Sequence, residues 1–289
     1  MDLDAITAID VHTHVEVSAE TGRGSLSPDL EAAADRYFGR AGIGRPTIPE
    51  MATHYRERSM AAVVFTVDAR TNLGVEPIPN DEIAAAAAEH DDVLIPFASV
   101  DPHLGQAAVA EVHRLVEVHD VKGFKFHPSV QGFFPDDPMA YPVYDAIQSH
   151  GRIALFHTGQ TGIGAGARGG AGIRLKYSNP IHLDDVAADF GDLDIIMAHP
   201  SVPWQDEAIS VATHKPRVHI DLSGWSPKYF PPQLVQQART RLQDKVLFGS
   251  DFPMITPDRW LADFERLDFP DDVREKVLKG NAARLLGLA

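Results

Sequence analysis

The chain contains no cysteine. Disulfides and thiolate metal ligands are thereby excluded, and any metal site must be built from histidines and carboxylates. Basic residues are also scarce: 26 Lys and Arg face 41 Asp and Glu, a net charge of −15. A protein with that balance repels polyphosphate, so nucleic acid is not an expected partner. No apolar run approaches the roughly 20 residues of a membrane-spanning helix, so no membrane association is expected either. The start, Met1-Asp2-Leu3-Asp4, is acidic and does not read as a secretory leader. A cytoplasmic location is expected.

What the chain does have is 44% hydrophobic residues in a length of 289. That suits one large domain, since α/β barrels commonly take about 250 residues. Short runs rich in Val, Ile and Phe predict strands over 6–12, 60–67, 93–100, 121–126, 152–157, 193–198, 217–222 and 245–250. Helical patterns cover 81–90, 105–119, 138–150, 182–190, 231–242 and 258–268. Strands alternating with helices pair in parallel through crossovers. Eight such units predict an α/β fold of the (β/α)8 TIM barrel type, with 1–289 as a single domain.

Two loops stand out. Residues 15–59 hold Gly, Ser and Pro segments around a helical pattern from Asp29 to Phe38, and read as an elaborated loop after strand 1. Residues 158–174 hold seven glycines. No Gly-Lys-Ser/Thr follows, so this is not a P-loop. With Arg168, Arg174 and Lys176 it is a candidate lid over an anionic group.

Barrel enzymes place their catalytic residues at the C-terminal ends of strands, and His and Asp recur there in this chain. The first strand pattern runs into His12-Thr13-His14, and alternate strand residues share a face, roughly 6–7 Å apart. With 14 histidines in the chain, one such pair arises easily by chance. Later strands end in Lys125-Phe126-His127, Phe156-His157, Ala198-His199 and Gly249-Ser250-Asp251. A lone strand-end histidine is ordinarily structural; five on one rim, with Asp251, point to a site. Neutral imidazole and carboxylate suit zinc and other divalent metals. Such an ion lowers the pKa of bound water from 15.7 to about 7. His12, His14, His157 and Asp251 are therefore the expected ligands of one divalent ion, zinc first and manganese as the alternative. Asp251 is also the expected general base, and His199 the catalytic residue that polarises a carbonyl.

Asp10-Val11-His12-Thr13-His14, Phe156-His157, Ala198-His199-Pro200, Gly249-Ser250-Asp251 and the closing run Gly280 to Gly287 resemble the amidohydrolase superfamily. The closest branch includes aminocarboxymuconate-semialdehyde decarboxylase and related aromatic-acid decarboxylases. The resemblance spans the chain in order. It implies one metal on His12, His14, His157 and Asp251, with His199 acting in catalysis. Residues 198–207, His214-Lys215-Pro216, 220–230 and 247–253 are similar to the 4-hydroxyphenyl-β-ketoacyl-CoA hydrolases. That similarity implies cleavage of an aryl β-ketoacyl thioester into an aromatic acid and acetyl-CoA, a step of aromatic catabolism. A small-molecule substrate, in the form of a CoA thioester, and a homodimer are expected on this basis. The alternative reaction is non-oxidative decarboxylation of an aromatic or unsaturated acid. An arginine beside the metal would favour it, and none stands at the strand ends named above. A metal-free binding protein is the least expected reading, because every ligand is present.

The remaining candidates each carry two readings. Lys125 shares strand parity with His127 and is either a substrate contact or the buried partner of an acid. A carboxylated, metal-bridging Lys125 is the least expected, since the branch it resembles uses one metal. Trp204 and Trp225 follow the sixth and seventh strands, where they either stack on a planar substrate or pack as loop residues. Arg168, Arg174, Lys176 and Lys228 are candidates for CoA phosphates, against plain surface charge. Asp206 and Glu207 orient His199 or cap a helix.

Overall fold

The structure is a computed structural model that describes residues 1–40 and 42–288. Its strands are β1 (Ala8–His14), β2 (Met60–Phe65), β3 (Leu94–Ala98), β4 (Gly123–Phe126), β5 (Ile153–His157), β6 (Asp194–Ala198), β7 (Val218–Asp221) and β8 (Val246–Leu247). Each pairs in parallel with the next, in chain order. The sheet then closes on itself. Val11 N–H donates to the Phe248 carbonyl at 3.0 Å, Asp251 N–H to that of His12 at 2.9 Å, and His14 N–H to that of Phe252 at 2.7 Å. The expected (β/α)8 barrel is the fold.

Two strand ends differ from the sequence expectation in ways that shape the site. β1 begins later, because Leu3–Ala5 form a helical turn capped by the Asp2 side chain. It also runs further: Thr13 and His14 still pair with Val64 and Phe65, after a register shift that follows Asp10. β8 is shorter than 245–250. Ser250 N–H donates to Asp10 Oδ1 at 2.9 Å, and its Oγ to Asp10 Oδ2 at 2.5 Å. A side chain thus takes a ladder donor, and the regular pairing stops.

Helices cover the outside of the barrel. Three longer helical regions lie outside the helical patterns read from the sequence. Ile48–Arg56 buries Ile48, Met51, Ala52 and Tyr55 at helical spacing, and Thr47 with Glu50 forms a capping box at its start. Burying Met51 alone contributes roughly 1.5–3 kcal/mol. The Ile48-Pro49 pair reads locally as a breaker, although proline is well suited to a first turn. Gln205–His214 buries only Ala208, Val211 and Ala212, residues too small to give a strong periodic signal. The run from Asp271 to Leu285 is interrupted by a π-helical turn, which breaks the period.

The long loop carries a second helix, Pro28–Phe38, over the mouth. The glycine-rich segment after β5 meets it there: a Cβ on Gly162 would come within 2.2 Å of the Phe38 ring. Among the described residues no helix is long and apolar enough to cross a membrane.

Candidate active site

The C-terminal ends of β1, β5, β6 and β7, with Asp251 beyond β8, converge on one buried centre. His12 is fully buried, and its Nδ1 lies 2.9 Å from Asp221 Oδ2. The opposite nitrogen, Nε2, faces His14 Nε2 at 3.2 Å and Asp251 Oδ1 at 3.4 Å. His14 Nε2 is 3.1 Å from the same oxygen. Burial opposes the charge on Asp251, but the His14 hydrogen bond and the neighbouring imidazoles hold its carboxyl well below the usual range. Asp221 behaves alike: burial raises it, and His12, by attraction and hydrogen bond, outweighs that. Burial, with Lys125 adding, brings His12 down to about 3, so its ring is neutral.

These protonation states fix the tautomers in sequence. Asp221, ionised, only accepts. It takes the Nδ1–H of His12 on Oδ2 and the Ser223 hydroxyl on Oδ1. Ser223 Oγ then accepts from His199 Nδ1–H at 2.9 Å. His199 Nε2, left with a lone pair, accepts from His157 Nδ1–H at 2.9 Å. His157 Nε2 is consequently a bare lone pair, and it is buried without a partner. His12 Nε2 is unprotonated by the same logic, its lone pair within reach of the Lys125 amine at 3.2 Å.

This donor set fits a divalent ion. His12, His14 and Asp251 supply three atoms 3.1–3.4 Å apart. Ligands about 2.1 Å from a tetrahedral metal lie roughly 3.4 Å apart. His157 stands one ring further out, bonded through His199 and stacked on His127 at 3.8 Å. Its orphaned nitrogen is the observation that favours it as a further ligand.

The backbone is shaped to permit this. His199 and Asp251 both adopt left-handed conformations, with φ of 71° and 69°. Gly224 has φ of 72°, and a Cβ there would sit 2.5 Å from His199 Nδ1. No side chain fits at Gly224.

Above the centre lies a cavity of about 460 Å3. His14, His157, His199 and Asp251 lie at its floor, while Tyr37, Phe38, Trp225 and Tyr229 form aromatic walls. Glu16, Glu31 and Asp35 also line it, with Arg45 and Arg259. Arg45 is already bound to Asp35 at 3.0 Å.

The structure therefore brings together His12, His14, His157, His199 and Asp251, with His127 and Trp225 on the cavity. Lys125 does not reach it. Fully buried, it stands 3.2 Å from His12 Nε2 and over the Phe65 ring, and burial lowers its amine to about 7. It has no acid within ion-pair distance among the described residues. Trp204 precedes the helix Gln205–His214 and does not line the cavity. Arg168 is exposed on the glycine-rich segment, also away from the lining. Asp206 and Glu207 occupy the first turn of that helix, and neither bonds to His199.

Asp221, Ser223 and Asp10 were not anticipated. Asp10 is fully buried, accepts from His12 N–H, Tyr55 and Ser250, and is pushed up by burial to about 7. A carboxylate two residues before His12, or at the end of β7, is a signal only once strand ends are known to converge.

A family model described as Amidohydrolase matches residues 9–288. The chain belongs to the amidohydrolase family. No curated protein matches it. Among solved structures, the amidohydrolase is similar to an uncharacterized TIM-barrel protein of Bordetella bronchiseptica. Identity is 24% over 97% of this chain and 98% of that one, with a TM-score of 0.79. It is also similar to a dihydroxybenzoic acid decarboxylase of a Polaromonas species, solved with manganese and 2-nitroresorcinol (17% identity, 98% and 97% covered, TM-score 0.69). A third is a probable 2-pyrone-4,6-dicarboxylic acid hydrolase of Acinetobacter baumannii, solved with citric acid (17% identity, 98% and 100% covered, TM-score 0.63). At these identities the likeness establishes the shared fold of the amidohydrolase.

Proposed function

We propose that this amidohydrolase is a metal-dependent hydrolase of an aryl carbonyl compound. In its finer form the reaction is retro-Claisen cleavage of an aryl β-ketoacyl-CoA. The observation that carries this reading is the charge of the cavity. Of its four carboxylates, Glu16 is paired with Arg40 and Asp35 with Arg45, which leaves Glu31 and Asp251 facing Arg259 as the one cavity arginine without an ion pair among the described residues. A substrate that enters as a neutral ketone meets less repulsion there than a free carboxylate does.

His12, His14, His157 and Asp251 would hold the ion, zinc or the manganese seen in the Polaromonas relative. When bound, it supplies acidified water and a Lewis acid for the carbonyl. Asp251, kept ionised, takes the proton of the attacking water on its carboxylate. His199 has no free N–H while it accepts from His157. It can donate to the substrate only after it gives up that bond and takes a proton on Nε2, and Asp221 with Ser223 keeps its ring oriented meanwhile. Water adds to the ketone carbon, the bond to the α-carbon breaks, and that carbon takes the proton that Asp251 accepted from the water. The products are an aromatic acid and an acetyl thioester. Trp225 and Tyr229 offer faces for the aryl ring. Arg168, Arg174 and Lys176 are exposed and form no ion pair among the described residues, which leaves them free for phosphates outside the cavity.

Decarboxylation is the second reading, favoured by the presence of Arg45 and Arg259 on the cavity wall. Neither is at a strand end, so the sequence argument against it does not apply. The test is to assay metal-loaded protein with benzoylacetyl-CoA and with dihydroxybenzoates. Benzoate and acetyl-CoA in equal amounts support hydrolysis. Release of CO2 from the dihydroxybenzoates, without thioester cleavage, replaces it with decarboxylation.

A further inference from the structure

Thr161 lies on the glycine-rich segment after β5 and lines the cavity beside His127. Its hydroxyl oxygen has two neighbours, His127 Nε2 at 3.3 Å and the Ile163 backbone N–H at 3.1 Å. The backbone N–H can only donate. The role of His127 follows from its other nitrogen. His127 caps the turn Pro128–Gln131: Val130 N–H donates to the His127 carbonyl at 2.9 Å and, as the longer branch of a shared bond, to its Nδ1 at 3.4 Å, so Nδ1 faces a donor. A nitrogen that accepts is unprotonated, so in the neutral ring the proton is on Nε2. Nε2–H therefore donates to Thr161.

Both lone pairs of the Thr161 oxygen are thus occupied, and its own proton has no acceptor among the described residues. A hydroxyl in that state is a donor only. It also cannot swing away easily, because Gly162, the next residue, lies directly against the Phe38 ring. We infer that Thr161 is the hydrogen-bond donor that holds an acceptor oxygen of the substrate, with His127 as the residue that positions it. The ligand chemistry is a carbonyl or enolate oxygen rather than a hydroxyl or ammonium donor. This rests on the reading that a carbonyl substrate occupies the cavity, and does not depend on which bond is broken.

The test is equilibrium binding of acetophenone and of α-methylstyrene, its isostere with CH2 in place of the oxygen, to metal-loaded protein. Thr161→Val should weaken acetophenone about three- to tenfold, the worth of one neutral hydrogen bond, and leave α-methylstyrene within about twofold. Thr161→Ser, which retains the hydroxyl, should keep the wild-type preference. Equal weakening of both ligands by Thr161→Val, an unchanged ratio, or a loss in Thr161→Ser as large as in Thr161→Val would overturn the assignment. Turnover is scored separately. A protein that cleaves neither substrate class but loses acetophenone preference in Thr161→Val refutes the proposed reaction and keeps the role of Thr161.

Discussion

At the floor of the cavity the polar side chains are committed to one another. His12 is bound to Asp221, Ser223 to Asp221, His199 to Ser223 and His157 to His199, all on strand ends or the residues just after them. At the mouth the side chains come from the connections that follow the strands, including the helix Pro28–Phe38, and aromatic ones stand open: Tyr37 and Tyr229 are 55% and 62% exposed. The floor is held by the closed ladder of the barrel, where a shift of one strand would break several bonds together. The mouth is held by turns and by glycine contacts, such as Gly162 on Phe38. A rigid floor suits chemistry that tolerates little displacement. An open mouth suits selection of substrate, which loop changes can alter without disturbing the centre.

The comparison breaks most directly at the ion. His12→Ala and Asp251→Asn should each lose bound metal and reduce turnover to background, read by elemental analysis alongside a thermal melt that confirms folding. Normal metal content in both would remove the floor as a metal centre. Next in size is Gly224→Ala. Its Cβ would press on His199 Nδ1, and the left-handed backbone adds strain of about 1–3 kcal/mol. Turnover should fall on the order of a hundredfold while bound metal stays near the wild-type level, which kinetics and metal analysis together can check.

Asp221→Asn sharpens the relay. The amide cannot accept from both His12 and Ser223 as the carboxylate does, so metal affinity should drop about 10- to 100-fold, measured by competition with a chelator. An unchanged affinity would mean that His12 needs no partner to set its tautomer. The smallest effect is expected at the mouth. Trp225→Leu should raise KM for an aryl substrate about three- to tenfold, with kcat and metal content nearly constant. A large fall in kcat would show that the mouth is not separable from the floor.

The floor was largely legible in the sequence because its histidines end strands whose apolar runs are themselves legible. Even there, Asp221 escaped notice. It is separated by 209 residues from His12, and in the chain it is only one of 41 acidic residues. The mouth was hardly legible. Arg168 and Trp204 are the residue types a binding loop needs, yet the loop paths carry them away from the cavity, while Arg45 and Thr161 arrive from segments with no regular period, and Arg259 from a helix whose period is legible but whose placement over the cavity is not. Glycine-rich chain has many accessible conformations, so its course is set by what it packs against.

Composition and local pattern alone determined that a metal here must be held by histidine and carboxylate, and that the fold alternates strand and helix. Both follow from chemistry within a residue or periodicity within a segment. Only the tertiary structure decided which nitrogen of each histidine is unprotonated, which arginines line the cavity, and that the Thr161 hydroxyl has no acceptor among the described residues. Those depend on pairs of groups brought together by the closure of the barrel and the packing of its loops, and no local pattern encodes them.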